Sequence, residues 1–259
     1  MSTYRLPVSG FEATVLEPTG REDLLLQEAA GFEMRLVFSL FDRLIQLPQD
    51  APRNWGEFTI TDVETLLLLI RREGLGERIR AETECTAAGC NARVDVSFDI
   101  TEYLGSVKPR VPRGVAKIEG ECGYRLLDGD VKFRLLNGAD LAALERRAAS
   151  ERALVQSCIL PPSVPSSVRR RIERAMHVLA PRLSRVMSGQ CPECNAQMIF
   201  HFDVMRFVLR EIRDHAATIF EDVHLLAVYY KWPEENILAL PRSRRLRYGE
   251  ALREHRSAA

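Results

Sequence analysis

The amino-acid sequence predicts an α+β fold, internally duplicated about a pseudo-twofold axis. In it, two cysteine knuckles share one four-cysteine metal site and the chain ends in a helical tail. Three observations carry this expectation. The stretch from Cys90 to Asp99 aligns without gaps on the stretch from Cys194 to Asp203, with five of ten positions identical. Upstream, Tyr4-Arg-Leu matches Tyr124-Arg-Leu, and Thr19-Gly-Arg-Glu22 matches Asn137-Gly-Ala-Asp140, in the same order. Between these marks, short runs with the two-residue period of strands alternate with longer runs of helical period.

Each half reads in the same sequence of elements. A short hairpin opens it, Glu12 to Glu17 in the first half and Val131 to Leu136 in the second. A capped helix follows. Thr19 and Glu22 have the capping-box spacing, in which hydroxyl and carboxylate each take an orphan backbone N–H, and Asn137 with Asp140 is a weaker version. Thr61 with Glu64 reads as another capping box, opening a helix with Val63, Leu66, Leu67 and Ile70 on one face. Its counterpart begins near Ser166, after a proline-rich breaker. It carries Val168, Ile172, Ala175, Met176 and Leu179 and is expected to end or kink at Pro181. A cysteine pair and an alternating strand come next in both halves. Asp99 with Glu102, and Asp203, then stand where helix caps belong. Gly105 to Glu121, rich in Pro, Gly and basic residues, reads as a linker. After Asp203 one long helix is expected, with Val208, Ile212, Ala216, Ile219, Val223, Leu226 and Tyr230 as its stripe and Pro233 as its end. Residues 1–105 and 118–204 are then the two repeats, and 205–259 the long helix and tail.

Composition narrows the function classes. A chain of 259 residues, 46% hydrophobic, can bury a real core. Lys+Arg and Asp+Glu are both 36, and this neutrality argues against a dedicated nucleic-acid binder, which needs a basic surplus. The longest apolar run, Leu66 to Ile70, is too short to span a bilayer, and the residues after Met1 do not read as a signal peptide. The expectation is a protein of the bacterial cytoplasm with no membrane partner, where cysteines stay reduced or hold metal.

The cysteines carry the clearest chemistry. Cys191 and Cys194 are separated by two residues, and Cys85 and Cys90 by four, both within the range of structural zinc loops. Asn follows the second cysteine in each pair and tolerates the left-handed conformation that such a turn needs. Neither pair completes a tetrahedron alone. Two pairs in equivalent places supply four ligands, so one structural Zn²⁺ on Cys85, Cys90, Cys191 and Cys194 is expected. A redox pair of the thioredoxin kind would open a helix. The residues after Cys194 alternate as a strand instead. Structural zinc is worth about as much as a small domain's stability, so loss of Cys191 is expected to melt much of the chain. Cys122 and Cys158 are expected as small buried side chains, and His201 as a solvated one. The remaining residues show no nucleotide-binding loop, nucleophile elbow or carboxylate constellation, so no enzyme and no small-molecule substrate are expected.

The tail from Tyr230 to Tyr248 has two readings. Trp232, Ile237, Leu238, Leu240, Leu246 and Tyr248 can fold back on the long helix. Alternatively, Trp232, Leu240, Arg242, Arg244, Arg245 and Tyr248 form a partner-binding surface, since Trp, Tyr and Arg dominate interface hot spots.

Several stretches together resemble a known family. The hairpin with Pro18 to Glu22, the helix from Thr61 to Leu68, the cysteine pairs followed by Phe-Asp, and the tail with Trp232 and Ile237 to Arg242 are similar to the baseplate hub assembly family of contractile-tailed phages of the T-even type, which has members in prophages and phage-derived injection systems. The resemblance lies in motif order over most of the chain. It implies a non-enzymatic structural or chaperone-like protein of the baseplate hub, with hub or other tail proteins as partners, one that could be incorporated in a phage-like particle. The residues alone also leave open a zinc-ribbon adaptor that binds nucleic acid or a regulatory protein.

Overall fold

Alternation of apolar and polar residues sets the first sheet. In the computed structural model, which describes residues 2–120, 123–146 and 151–257, β1 (Ser2–Arg5) pairs antiparallel with β2 (Glu12–Val15). Ala13 and Val15 face the core while Glu12 stays exposed. α1 (Gly20–Glu28) begins with the expected capping box, Glu22 taking the Thr19 N–H at 2.8 Å. α2 (Met34–Leu44) has no cap of its own. The Glu145 carboxylate reaches it from the other half of the chain and takes the Met34 N–H at 3.0 Å. β3 (Ile45–Gln46) then returns to β2, giving the order β1-β2-β3.

α3 (Ile60–Leu75) is the central helix, buried at every position from Ile60 to Arg71. Its cap differs from the expected one. Thr59, with extended backbone, accepts the Asp62 N–H at 3.3 Å, and Thr61 and Glu64 lie inside the helix. Both are engaged in tertiary contacts instead. Thr61 Oγ1 donates to the Pro181 carbonyl at 3.1 Å, and Glu64 accepts the Leu183 N–H at 2.7 Å and Arg182 Nη2 at 3.0 Å. The ribbon β4 (Arg78–Glu84) and β5 (Arg93–Asp99) follows, then α4 (Ile100–Gly105). Asp99 occupies the N-cap position of α4, but its side chain makes no capping bond.

The expected linker contains a strand. β6 (Val115–Lys117) pairs with β7 (Tyr124–Leu126), β7 with β8 (Lys132–Phe133), and α5 (Gly138–Arg146) and α6 (Glu151–Ser157) lead to β9 (Ile159–Leu160) beside β8. The Asn137–Asp140 cap is fully reciprocal, at 3.0 and 3.1 Å. α7 (Ser166–Leu179) ends short of Pro181. A second ribbon, β10 (Arg185–Gln190) with β11 (Gln197–Phe202), leads to α8 (Val204–His215), which Asp203 caps through the Arg206 N–H at 3.0 Å.

The single long helix expected here is two. α8 ends in a tightened turn, in which the Ala216 and Ala217 N–H groups bond three residues back, and α9 (Ile219–Tyr230) starts anew. Ala216 and Ile219 are both buried three residues apart, so the break leaves the buried spacing intact. Beyond it the expected stripe holds only in part, with Ile219 and Leu226 buried, Val223 half-buried and Tyr230 exposed. Lys231, left-handed at φ 57°, and Pro233 turn the chain into α10 (Glu234–Leu238) and α11 (Arg242–Ser257).

The main core joins β2, α2 and α3 to Phe202, Val204, Val208, Leu209 and Ile212, so α8 belongs to the same apolar interior as the first hundred residues. A second core lies between β6–β9 and α7, and a third under α9, α10 and α11. The chain is thus a mixed helix-and-strand protein, 47% and 20%, in which every ladder among the described residues is antiparallel. None of the described helices is long and apolar enough to cross a membrane.

Candidate metal centre

Each cysteine pair sits at the tip of a ribbon. The Cys85 N–H closes the first tip on the Ala92 carbonyl and the Cys191 N–H closes the second on the Ala196 carbonyl, both at 2.9 Å. Asn91 and Asn195 have φ of 50° and 57°, the left-handed turn expected of the residue after each second cysteine. In the four-residue loop Gly89, at φ 81°, supplies one more such position.

The ribbons lay their apolar faces together, which carries one tip to the other. At their roots Phe98 and Phe202 meet edge to face at 5.3 Å, with Tyr103 and Phe207 against Phe202. Farther out, Val94 and Met198 are buried beside Cys85 and Cys191. The four Sγ atoms lie within 4.8 Å of one another. The two short contacts, Cys85–Cys194 at 3.7 Å and Cys90–Cys191 at 3.8 Å, both cross from ribbon to ribbon. A tetrahedron with metal–sulfur arms of about 2.3 Å has edges of about 3.8 Å, so the donor set fits one metal ion.

Electrostatics favour a cation there. The Cys194 and Glu193 N–H groups point at the Cys191 sulfur and lower its pKa to about 7. At Cys90 the Ala92 N–H favours the thiolate, but the Cys194 thiol and burial together outweigh it and push the pKa up to about 12. Four crowded thiols therefore cannot all ionise near neutral pH without a positive charge between them, and metal binding would expel their protons. His201 lies on the exposed face of β11 opposite Val186, outside the four-sulfur group. Cys158 is buried, as expected, beside the Arg134–Asp140 pair, and Cys122 lies outside the described residues.

The tail residues divide. Trp232 and Tyr248 meet at 5.2 Å and fold back with Ile237 and Leu252 on Leu225 and Leu226. Leu240 is half-buried and Arg244 exposed. Arg242 and Arg245 are not presented to a partner. Both are buried, Arg242 on Asp23 at 2.8 Å and Arg245 between Asp23 and Asp222. Arg253 adds a bond to Asp222 at 2.5 Å. The sequence reading missed Asp23 and Asp222. Their only local signal is an acidic residue in the first turn of α1 and of α9, which is also the signature of an ordinary solvated helix start. It also missed β4 and β10, although the alternation of Ile79, Ala81 and Thr83 was available to mark the first.

No family model, no curated protein and no solved structure matches the chain.

Proposed function

We propose that this chain is a zinc-stapled structural protein that helps to build the hub of a contractile-tail baseplate, and that its two ribbons belong to two copies of a duplicated unit. The observation that carries the reading is the closed donor set: four thiols from two ribbons fill a tetrahedron and leave no position for substrate, the arrangement of structural rather than catalytic zinc. Softness of the ligands favours zinc over magnesium or calcium.

Duplication is supported by the repeated order of elements. The sheet β1-β2-β3 and the strands β7-β8-β9 of the four-stranded sheet each take their last strand after two helices, and each set is followed by a helix, a cysteine-tipped ribbon and another helix, although β6 has no counterpart in the first half. The turn between the first two strands is tied to the next long helix in both. Asp62 of α3 takes the Val8 and Ser9 N–H groups at 3.0 and 2.9 Å, and Arg171 of α7 binds Asp128. Both ribbons then supply the same number of ligands.

The assignment to a baseplate hub rests on the motif order from Pro18 to Arg242 and on the fit of a rigid, metal-closed scaffold to a role in assembly. A tagged full-length chain, expressed in cells that are assembling contractile-tail particles, is expected to co-purify a hub component, and deletion of its gene is expected to remove tailed particles from electron micrographs. Normal particle numbers after deletion contradict the assignment.

A further inference from the structure

A cleft of about 460 Å³ opens between the start of α3, the link from β8 to α5, and helices α6 and α7, well away from the sulfurs. Its floor is apolar, with Ile60, Leu135, Val155 and Met176 all buried. Its rim is cationic, with Arg152, Arg169, Arg170 and Arg182 against a single lining carboxylate among the described residues, Glu173. Two of the four arginines are already matched. Arg182 is held by Glu64 at 3.0 Å and Arg169 lies 3.7 Å from Glu173. Arg152 and Arg170 are exposed, and neither has a carboxylate partner among the described residues. In a chain of formal charge +0, this places two positive charges without a carboxylate partner among the described residues at the mouth of an apolar hole. The charge continues outside it, since Arg170, Arg174 and His177 recur at helical spacing along the outer side of α7.

We propose that this cleft docks an acidic peptide segment carrying an apolar anchor of one or two residues. The anchor enters against Val155 and Met176, while flanking carboxylates pair with Arg152 and Arg170 and run on towards Arg174. The size suits a side chain or two rather than a folded surface. The extended basic stripe suits a chain rather than a compact small molecule. A nucleic-acid strand would need aromatic platforms for its bases, and no Phe, Tyr or Trp among the described residues lines the cleft. The proposal stands apart from the metal and from the baseplate reading, because neither the sulfurs nor the tail contributes to the cleft.

The test is fluorescence anisotropy with the full chain and a fluorescein-labelled synthetic peptide in which a Leu-Phe pair is flanked by Glu residues. Saturable binding that weakens with added salt is expected. The double substitution Arg152→Glu and Arg170→Glu is expected to weaken it by roughly tenfold or more. Its melting temperature is expected to be unchanged, because both side chains are exposed and have no carboxylate partner among the described residues. A peptide with Ser in place of the Leu-Phe pair is expected to bind markedly less well. The proposal is overturned if the peptide does not saturate, if the double variant or the anchorless peptide binds as well, or if a single-stranded thymidine oligonucleotide displaces the peptide at lower concentration than unlabelled peptide does.

Discussion

At Cys191, two backbone N–H groups and two neighbouring thiols act on one buried sulfur and together outweigh burial, which lowers its pKa to about 7. Cys191→Ser is expected to abolish metal binding. From sequence alone such a loss was expected to melt much of the chain. The main core of α2, α3 and α8 does not include the sulfurs, so the structure confines the damage to the ribbon tips. Thermal melting of the variant is expected to show an early local transition followed by a main one close to wild type; a single collapsed transition contradicts this. At Asp23 the opposite holds, because one buried carboxylate faces both Arg242 and Arg245. Asp23→Asn leaves buried guanidinium charge uncompensated and is expected to cost about 3–5 kcal/mol in denaturant titration. Arg244→Ala, on an exposed residue of the same helix, is expected to stay within about 0.5 kcal/mol. Equal effects at the two sites contradict the burial argument. Asp62 supplies a pH signature. Burial raises its pKa above the ordinary 3.8, although four hydrogen bonds pull the other way. A raised carboxyl pKa means that the folded chain holds the proton more tightly than the unfolded one. Its contribution is therefore fully present below pH 3.8 and lost as pH rises through the folded value. Asp62→Asn is expected to flatten that loss, and identical pH slopes for the two proteins contradict it.

Elements were legible where their signals are local. The reciprocal caps at Thr19–Glu22 and Asn137–Asp140 span three residues, and both form. So does the Asp203 cap, and so do the left-handed turns at Asn91 and Asn195. Thr61 and Glu64 have the same spacing and fail, because a central helix surrounded by protein offers its first turn tertiary partners in Pro181, Arg182 and Leu183. The break between α8 and α9 was invisible for a related reason: a three-residue turn without Gly or Pro preserves the spacing of buried positions. The two ribbons are joined at the root by rings and at the tip by sulfur. Chelation is therefore expected to speed hydrogen exchange in residues 82–95 and 188–198 while leaving α3 protected. Uniform exchange across ribbons and α3 after chelation contradicts this division.

For the whole molecule, the C-terminal helix is held by residues that the sequence gives no means of pairing. Arg242 and Asp23 are 219 positions apart, and the packing of α9 against both α1 and α11 brings them together. Truncation after Leu240 would strip Asp23 and Asp222 of their guanidinium partners and uncover Leu225 and Leu226, so a clear fall in the denaturant midpoint is expected. The metal site was legible across a similar distance, since cysteines in a recurring context name their own partners, whereas arginines and aspartates are too common to do so. The most direct measurement is elemental analysis of the purified full-length chain, combined with X-ray absorption at the edge of whichever metal is found. One zinc per chain with four sulfur neighbours at about 2.3 Å is expected. Two zinc ions per chain, nitrogen or oxygen among the nearest neighbours, or no metal with all four thiols freely titratable would contradict it.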